Sequence, residues 1–247
     1  MTADNTKRKV LITGGTGSLG LALISAFSNH GYSICFQYNS AHARADQLKR
    51  ELGIDSFSID FSRPFTPPDI DLDIIVNNAG VNLTGAITHE VTDEDWLSTI
   101  QINLFAPFFL AKKYLPGMMN RRWGRIINIS SIYGLSGIAY NLPYNVSKHG
   151  LSGLTRTIAK DYASYGITCN EICPAQIESE MMHQIAAEES TAQGISAEDY
   201  LESVRKSIPA QRLASPAEVA ALAVFLASDA AAFINGASVP VDGGLLA

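Results

Sequence analysis

The chain has 247 residues and a formal net charge of −6, with 17% charged and 47% hydrophobic residues. That length allows one large, well-buried domain over residues 1–247 and forces no second one. The acidic balance argues against a nucleic-acid partner, which needs dense lysine and arginine, and no apolar run is long enough to place the chain in a membrane. The start, Met1-Thr2-Ala3-Asp4-Asn5, is polar and lacks the apolar core of a signal peptide. Cys35, Cys169 and Cys173 are an odd set without metal-ligand spacing, each in an apolar run. Buried reduced thiols, no metal site and a cytoplasmic location are therefore expected.

Short apolar runs alternate with helical patterns from end to end, which predicts a doubly wound α/β fold with about seven parallel strands and helices on both faces. Val10 to Thr13 reads as the first strand. The turn Thr13-Gly14-Gly15-Thr16-Gly17-Ser18-Leu19-Gly20 follows it and opens a helix from Leu19 to Asn29. Glycines there let the backbone turn sharply and approach a pyrophosphate, and free N–H groups at the helix start receive its charge. This context makes the turn a dinucleotide site.

Ser33 to Tyr38 reads as the second strand, ending in Gln37-Tyr38-Asn39-Ser40. No acid stands there to hydrogen-bond the ribose of NAD and repel the extra phosphate of NADP. Tyr38, Asn39 and Ser40 thus favour NADP(H) over NAD(H). Arg44 either turns inward to add charge or stays a solvated residue of a helix over Ala41 to Leu52.

Ile54 to Asp60 and Leu72 to Val76 are the third and fourth strands. The link between them contains Pro64, Pro67 and Pro68, which cannot sustain a helix interior, so the crossover is predicted to be a loop. Two helices follow, Asp93 to Asn103 and Phe105 to Asn120. The basic stretch Arg121-Arg122-Trp123-Gly124-Arg125 reads as a solvated helix end before a buried strand, or else as a docking patch. Arg125 to Ser130 is the fifth strand, with Ser131 just beyond it.

A long helix is predicted from Tyr144 to Tyr165. Tyr144 and Lys148 lie one turn apart on its same face. An ammonium held there favours the phenolate and is expected to lower a phenol pKa that is ordinarily about 10. Such a tyrosine exchanges protons with an alcohol or carbonyl. Ile167 to Cys173 is the sixth strand and Ser238 to Val241 the seventh. Residues 179–208 are polar and predict a helical lid. Ser215-Pro216-Ala217-Glu218 is a helix start, with serine as N-cap and an acid in the first turn.

Together these motifs resemble the short-chain dehydrogenase/reductase family in its compact, single-domain form, over nearly the whole chain. The resemblance implies a catalytic set of Asn103, Ser131, Tyr144 and Lys148. In it Tyr144 exchanges the proton and Ser131 hydrogen-bonds the same oxygen. Lys148 tunes the phenol and holds the nicotinamide ribose, and Asn103 anchors a water of the proton relay. It also implies that Gly14, Thr16, Gly17, Ser18, Leu19 and Gly20 hold the cofactor. Asp60 meets the adenine, with Phe61 beside it, while Asn78, Ala79 and Gly80 of Asn77-Asn78-Ala79-Gly80 flank the cofactor and brace the sheet. Pro174, Ala175 and Ile177 cradle the nicotinamide, and Ser179 touches its carboxamide or phosphate. Val241-Asp242-Gly243-Gly244 matches the family's C-terminal signature. Three positions depart from the pattern. Ser18 stands where the compact branch has its middle glycine, with Gly17 before it, no basic residue precedes that position, and Ala175 replaces a glycine.

The reaction so implied is reversible hydride transfer between a nicotinamide and a ketone or secondary alcohol. The pocket is expected to be lined by Ile132, Tyr133, Ile138, Asn141, Gln176 and Met181-Met182-His183, mostly apolar and without an arginine clamp. A 3-oxoacyl thioester on acyl carrier protein or CoA is the first choice of substrate, with Arg121, Arg122 and Arg125 meeting the carrier. The alternatives are a 3-hydroxybutyrate, polyol or other small-alcohol dehydrogenase, and a non-catalytic dinucleotide-binding regulator. The apolar faces of the helices over Phe105–Asn120 and Tyr144–Tyr165 point to an oligomer, which the resemblance implies is a homotetramer, with a dimer as the alternative.

Overall fold

Seven strands form one parallel sheet in the order 3-2-1-4-5-6-7. They are β1 (Lys9–Ile12), β2 (Ser33–Tyr38), β3 (Asp55–Ser58), β4 (Ile74–Asn77), β5 (Gly124–Ile129), β6 (Ile167–Pro174) and β7 (Ser238–Val241). The helices are α1 (Ser18–Asn29), α2 (His42–Leu52), α3 (Asp93–Ile100), α4 (Ala106–Arg121), α5 (Leu142–Tyr162), α6 (Glu180–Gln193), α7 (Ala197–Ser207) and α8 (Pro216–Ala227). The computed structural model describes residues 7–83 and 85–247; the polar start read as lacking a signal peptide lies outside them.

Helices cover both faces, so the central strands are near-continuous apolar runs. On one face Ile12, Val76, Ile127 and Ile172 pack against Ile24 of α1 and Ala220 of α8. On the other, Leu11, Ile75, Ile126 and Cys169 meet Leu110 of α4 and Ile158 of α5. All three cysteines are free and buried, and burial pushes the Cys35 and Cys173 thiols up to about 12. Among the described residues no helix is long and apolar enough to cross a membrane.

The link from β3 to β4 holds no helix, as its prolines require. Phe61 and Phe65 stack at 4.7 Å, Phe65 meets Phe109 of α4 at 6.1 Å, and the Tyr114 hydroxyl donates to the Pro68 carbonyl at 2.8 Å. Aromatic side chains thus cover the sheet where a crossover helix would lie.

The two helices expected over 93–120 are one rod with a π-turn at Gln101–Phe105. Pro107 has no N–H to offer the Asn103 carbonyl four residues back, and the wider turn takes up that break. The predicted start of α8 forms a full capping box between Ser215 and Glu218. Residues 179–208 fold into α6 and α7, capped by Ser179 and Ser196, with Met182, Ala186 and Leu201 buried between them.

Candidate active site

Gly14, Asn39, Asn78, Ser131 and Ala175 each follow the carboxyl end of a strand. In a parallel sheet these ends share one edge, and strand order reverses between β1 and β4, which opens a crevice there.

The glycine turn is held from three sides. Gly14 takes φ +64, and a Cβ on Gly15 would lie 2.6 Å from the Phe36 ring. Gln37, buried in β2, accepts from the Gly14 N–H at 2.9 Å through its side chain and from the Gly15 N–H at 2.8 Å through its carbonyl. The Thr13 hydroxyl accepts from the Asn78 and Ala79 N–H groups at 2.9 Å, and Asn78 Nδ2 donates to the Thr13 carbonyl at 2.8 Å. Gly17, exposed at the N-cap of α1, has no side-chain cap, and no acid lies in the first turn. The helix start therefore offers N–H groups and positive potential to an anion, and the turn fits a dinucleotide diphosphate.

Around this turn, Asn39 and Ser40 are exposed at the end of β2, and Tyr38 packs edge-on against His42. Arg44 turns inward, donating to the Thr16 carbonyl at 3.0 Å and pairing with Glu180 at 3.1 Å. Ser18 Oγ accepts from the Glu180 N–H at 3.1 Å. Asp60 caps its own turn, accepting from Ser62 N–H and Oγ, which holds its carboxyl below the usual range. Next to it, the Phe61 ring is buried against Phe65.

On the chemical side, the Ser131 hydroxyl accepts from the Tyr133 N–H at 3.2 Å and lies near enough to the Tyr144 phenol to favour its ionised form. Lys148 is buried, with Nζ 5.4 Å from the Tyr144 ring centroid and donating to the Ile129 carbonyl at 2.9 Å. Asn103, in the π-turn, donates to the Val81 carbonyl and Ser147 Oγ and accepts from the Val81 N–H. Its side chain is thus spent on fixing the segment after β4.

The expected acidification of Tyr144 is not found. Burial raises the phenol above its ordinary value, outweighing the Ser131 hydrogen bond. The same burial draws Lys148 down to about 8. Desolvation penalises both charged forms and is the largest cause acting on each.

At the mouth, Gln176 Nε2 donates to the Tyr133 hydroxyl at 3.2 Å, and Asn82 Nδ2 to Asn141 Oδ1 at 2.6 Å. Pro174 ends β6, the Ala175 N–H binds the Val241 carbonyl at 3.0 Å, and Ile177 bridges to Ala214. Ser179 Oγ accepts from the Met182 N–H at 3.2 Å as the cap of α6. Ile132 is buried and Ile138 exposed. Met182 is buried within the α6–α7 pair while Met181 is exposed, and exposed His183 pairs with Glu178 at 2.7 Å.

The basic stretch has partners within the chain. Arg125 is buried against Trp123 and Asp229, Arg121 pairs with Asp73 at 3.1 Å, and Arg122 donates to the Ser164 carbonyl. It also lies at the start of β5, the edge of the sheet opposite the crevice. Two residues that matter escaped the sequence reading. Gln37 and Asn82 carry no motif, and the one signal was a polar residue inside an apolar strand in the case of Gln37.

Comparison with known proteins agrees with this geometry. A family model described as enoyl-(acyl carrier protein) reductase matches residues 69–246. The chain is 36% identical to acetoacetyl-CoA reductase of Rhizobium meliloti (strain 1021) over 246 residues, covering 96% of this chain and 98% of that one. It is 32% identical to D-beta-hydroxybutyrate dehydrogenase of the same organism, over 96% of this chain and 98% of that one. Among solved structures, a variant of actinorhodin polyketide ketoreductase with NADPH superposes with a TM-score of 0.89 at 30% identity, covering 97% of each chain. With its seven-stranded parallel sheet and its Ser131, Tyr144 and Lys148 at the switch point, the chain belongs to the short-chain dehydrogenase/reductase family.

Proposed function

We propose that the protein is an NADP(H)-dependent oxidoreductase that interconverts a 3-oxoacyl thioester, carried on CoA, and its 3-hydroxyacyl form. The observation that carries this reading is the contact of Ser131 with Tyr144, one helical turn from buried Lys148, beside an acid-free glycine turn. The likeness to an acetoacetyl-CoA reductase and to an NADPH-bound ketoreductase supports the thioester and the cofactor. CoA is preferred to acyl carrier protein because the 36% identical relative is an acetoacetyl-CoA reductase.

A nicotinamide bound in this crevice would supply or accept the hydride. Gly14, Thr16, Gly17, Ser18, Leu19 and Gly20 hold the diphosphate, and Asn39, Ser40 and Arg44 face the adenosine phosphate. Asp60 meets the adenine, and Asn78, Ala79, Gly80, Pro174, Ala175, Ile177 and Ser179 enclose the remainder. Ser131 donates a hydrogen bond to the substrate oxygen, where negative charge develops on reduction. Tyr144 gives that oxygen its proton. A phenol raised by burial stays protonated at neutral pH, which suits a proton donor and the reductive direction. Lys148 holds the ribose hydroxyls, and Asn103, in the π-turn, anchors a water of the proton relay. Tyr133, Asn141 and Gln176 contact the acyl group, and α6 and α7 act as a lid.

The exposed Phe105, Phe108 and Phe109 on the α4 rod, with Val146 on α5, support a homotetramer of a single-domain chain. Buried free thiols support a cytoplasmic location. A 3-hydroxybutyrate dehydrogenase is the second reading, favoured by the 32% identical relative. Mixing the protein with acetoacetyl-CoA and NADPH, and separately with 3-hydroxybutyrate and NADP⁺ or NAD⁺, while following nicotinamide absorbance, tests both. Turnover of the free hydroxy acid alone would overturn the thioester reading.

A further inference from the structure

Gln37 is a polar side chain inside the apolar strand β2, only 3% exposed, and both ends of its amide are engaged. Oε1 accepts from the Gly14 N–H at 2.9 Å, and Nε2 donates to the Ile59 carbonyl at 2.6 Å. The Gly14 N–H can only donate and the Ile59 carbonyl can only accept, so these partners fix which way the amide faces. The Gln37 main-chain carbonyl takes the next N–H of the turn, that of Gly15, at 2.8 Å. One residue thus grips the glycine turn on one side and the chain just past β3 on the other. Asp60 follows Ile59 directly, and Asn39-Ser40 lie just beyond Gln37. The three segments assigned to the adenosine half of the cofactor therefore meet at one buried amide.

We propose that Gln37 is a positioning residue for the dinucleotide, setting the distance between the turn that takes its diphosphate and the loop that takes its adenine. This role rests on the cofactor reading given above, and Gln37 acts through Gly14 and Ile59. The diphosphate and the adenine are joined through a ribose of limited reach. A ligand that spans two subsites gains from the second contact only when their separation already matches it. Each subsite also has a tether of its own. The Ile59 N–H is held by the Tyr38 carbonyl at 2.9 Å, and Ser58 Oγ donates to the Asn39 carbonyl at 3.2 Å. The turn is held by Thr13 and Asn78 on its far side. What the Gln37 amide adds is the link between them. A methionine there would fill the space and make no link. A carboxylate would set an acceptor against the Ile59 carbonyl. Glutamine has both a donor and an acceptor at the reach required.

The test compares a ligand that spans both subsites with one that occupies a single side. NADPH spans them, whereas 2′-AMP carries the adenine, ribose and 2′-phosphate without a diphosphate. Both are titrated by calorimetry into the wild type and into Gln37→Met, which keeps the length of the side chain and loses both hydrogen bonds. The dissociation constant for NADPH should rise about ten-fold, while that for 2′-AMP stays within about two-fold. Gln37→Asn, one methylene shorter, reaches one partner at a time and should show the same split. A side chain that merely held β2 in place would weaken both ligands alike or neither, and either result overturns the proposal. Should Gln37→Met not fold, Gln37→Asn decides on the same terms. The titrations need no turnover. Wild-type protein that binds NADPH and reduces no thioester would sink the proposed activity and leave this inference standing. A Gln37→Met protein with wild-type affinity for NADPH would do the reverse.

Discussion

Arg44 and Glu180 meet at 3.1 Å while the same guanidinium nitrogen reaches the Thr16 carbonyl at 3.0 Å. The start of α6 is thereby tied to the glycine turn, and the charge of Arg44 is aimed at the side of the crevice where β2 ends. Arg44→Ala should raise the dissociation constant for NADPH about ten-fold, the loss of one charge-assisted hydrogen bond. The constant for NADH should stay within about two-fold. Fluorescence titration with both nucleotides reads the difference; equal weakening of the two would remove Arg44 from cofactor choice.

Tyr144→Phe removes the proton that the phenol gives to the substrate oxygen and leaves the ring packing intact. Turnover of acetoacetyl-CoA should fall by about a thousand-fold, within the range of general acid catalysis. NADPH affinity should be nearly unchanged. Initial rates and a binding titration on the same preparation separate these effects. A near-normal rate would show that the phenol is not the acid.

The pH dependence of stability follows from Lys148. Its folded value is drawn down to about 8 from 10.5, so between those values the unfolded chain holds the more protons. Stability from this group is therefore lowest below about pH 8 and recovers as pH rises toward 10.5. Relative to Lys148→Met, the wild type should gain roughly 3 kcal/mol between pH 7 and pH 10.5. Urea unfolding of both proteins across that range checks the sign. A difference that is flat or falls with pH would contradict the buried, depressed lysine.

Two glycines of the turn should behave differently. A Cβ at Gly20 would collide with the Gly14 carbonyl and the Gly15 backbone, whereas at Gly17 the nearest atom is the Gly14 carbonyl oxygen at 3.6 Å. Gly20→Ala should cost the fold roughly 3 kcal/mol or more, as overpacking against rigid backbone does. Gly17→Ala should melt like the wild type and yet bind NADPH at least about ten-fold more weakly, because its methyl occupies the face offered to the diphosphate. Thermal melts and nucleotide titrations decide between them.

The sheet was legible because strands buried on both faces are plain apolar runs, and β2 and β7 match their predicted limits residue for residue. The approach of Tyr144 to Lys148 was legible because one helical turn is a local fact. What depends on distant partners was not. The partners of the basic stretch, Asp73 and Asp229, lie far away in sequence, so Arg121 and Arg125 read as free charge. The rise of the Tyr144 phenol comes from burial, which no spacing reveals. The reach of Gln37 from the glycine turn to Ile59 exists only once the register of β1, β2 and β3 is set.

The helix-free link between β3 and β4 has a consequence for how the molecule breathes. β3 is a four-residue edge strand with both ends exposed, and the covering behind it is a wedge of three phenylalanine rings. Its amides should exchange with deuterium well before those of β4, β5 and β6, whose hydrogen bonds open only with the whole molecule. The adenine end of the crevice would then flutter on its own while the end that carries the chemistry stays shut, so that nucleotide could enter and leave without loosening Ser131, Tyr144 or Lys148.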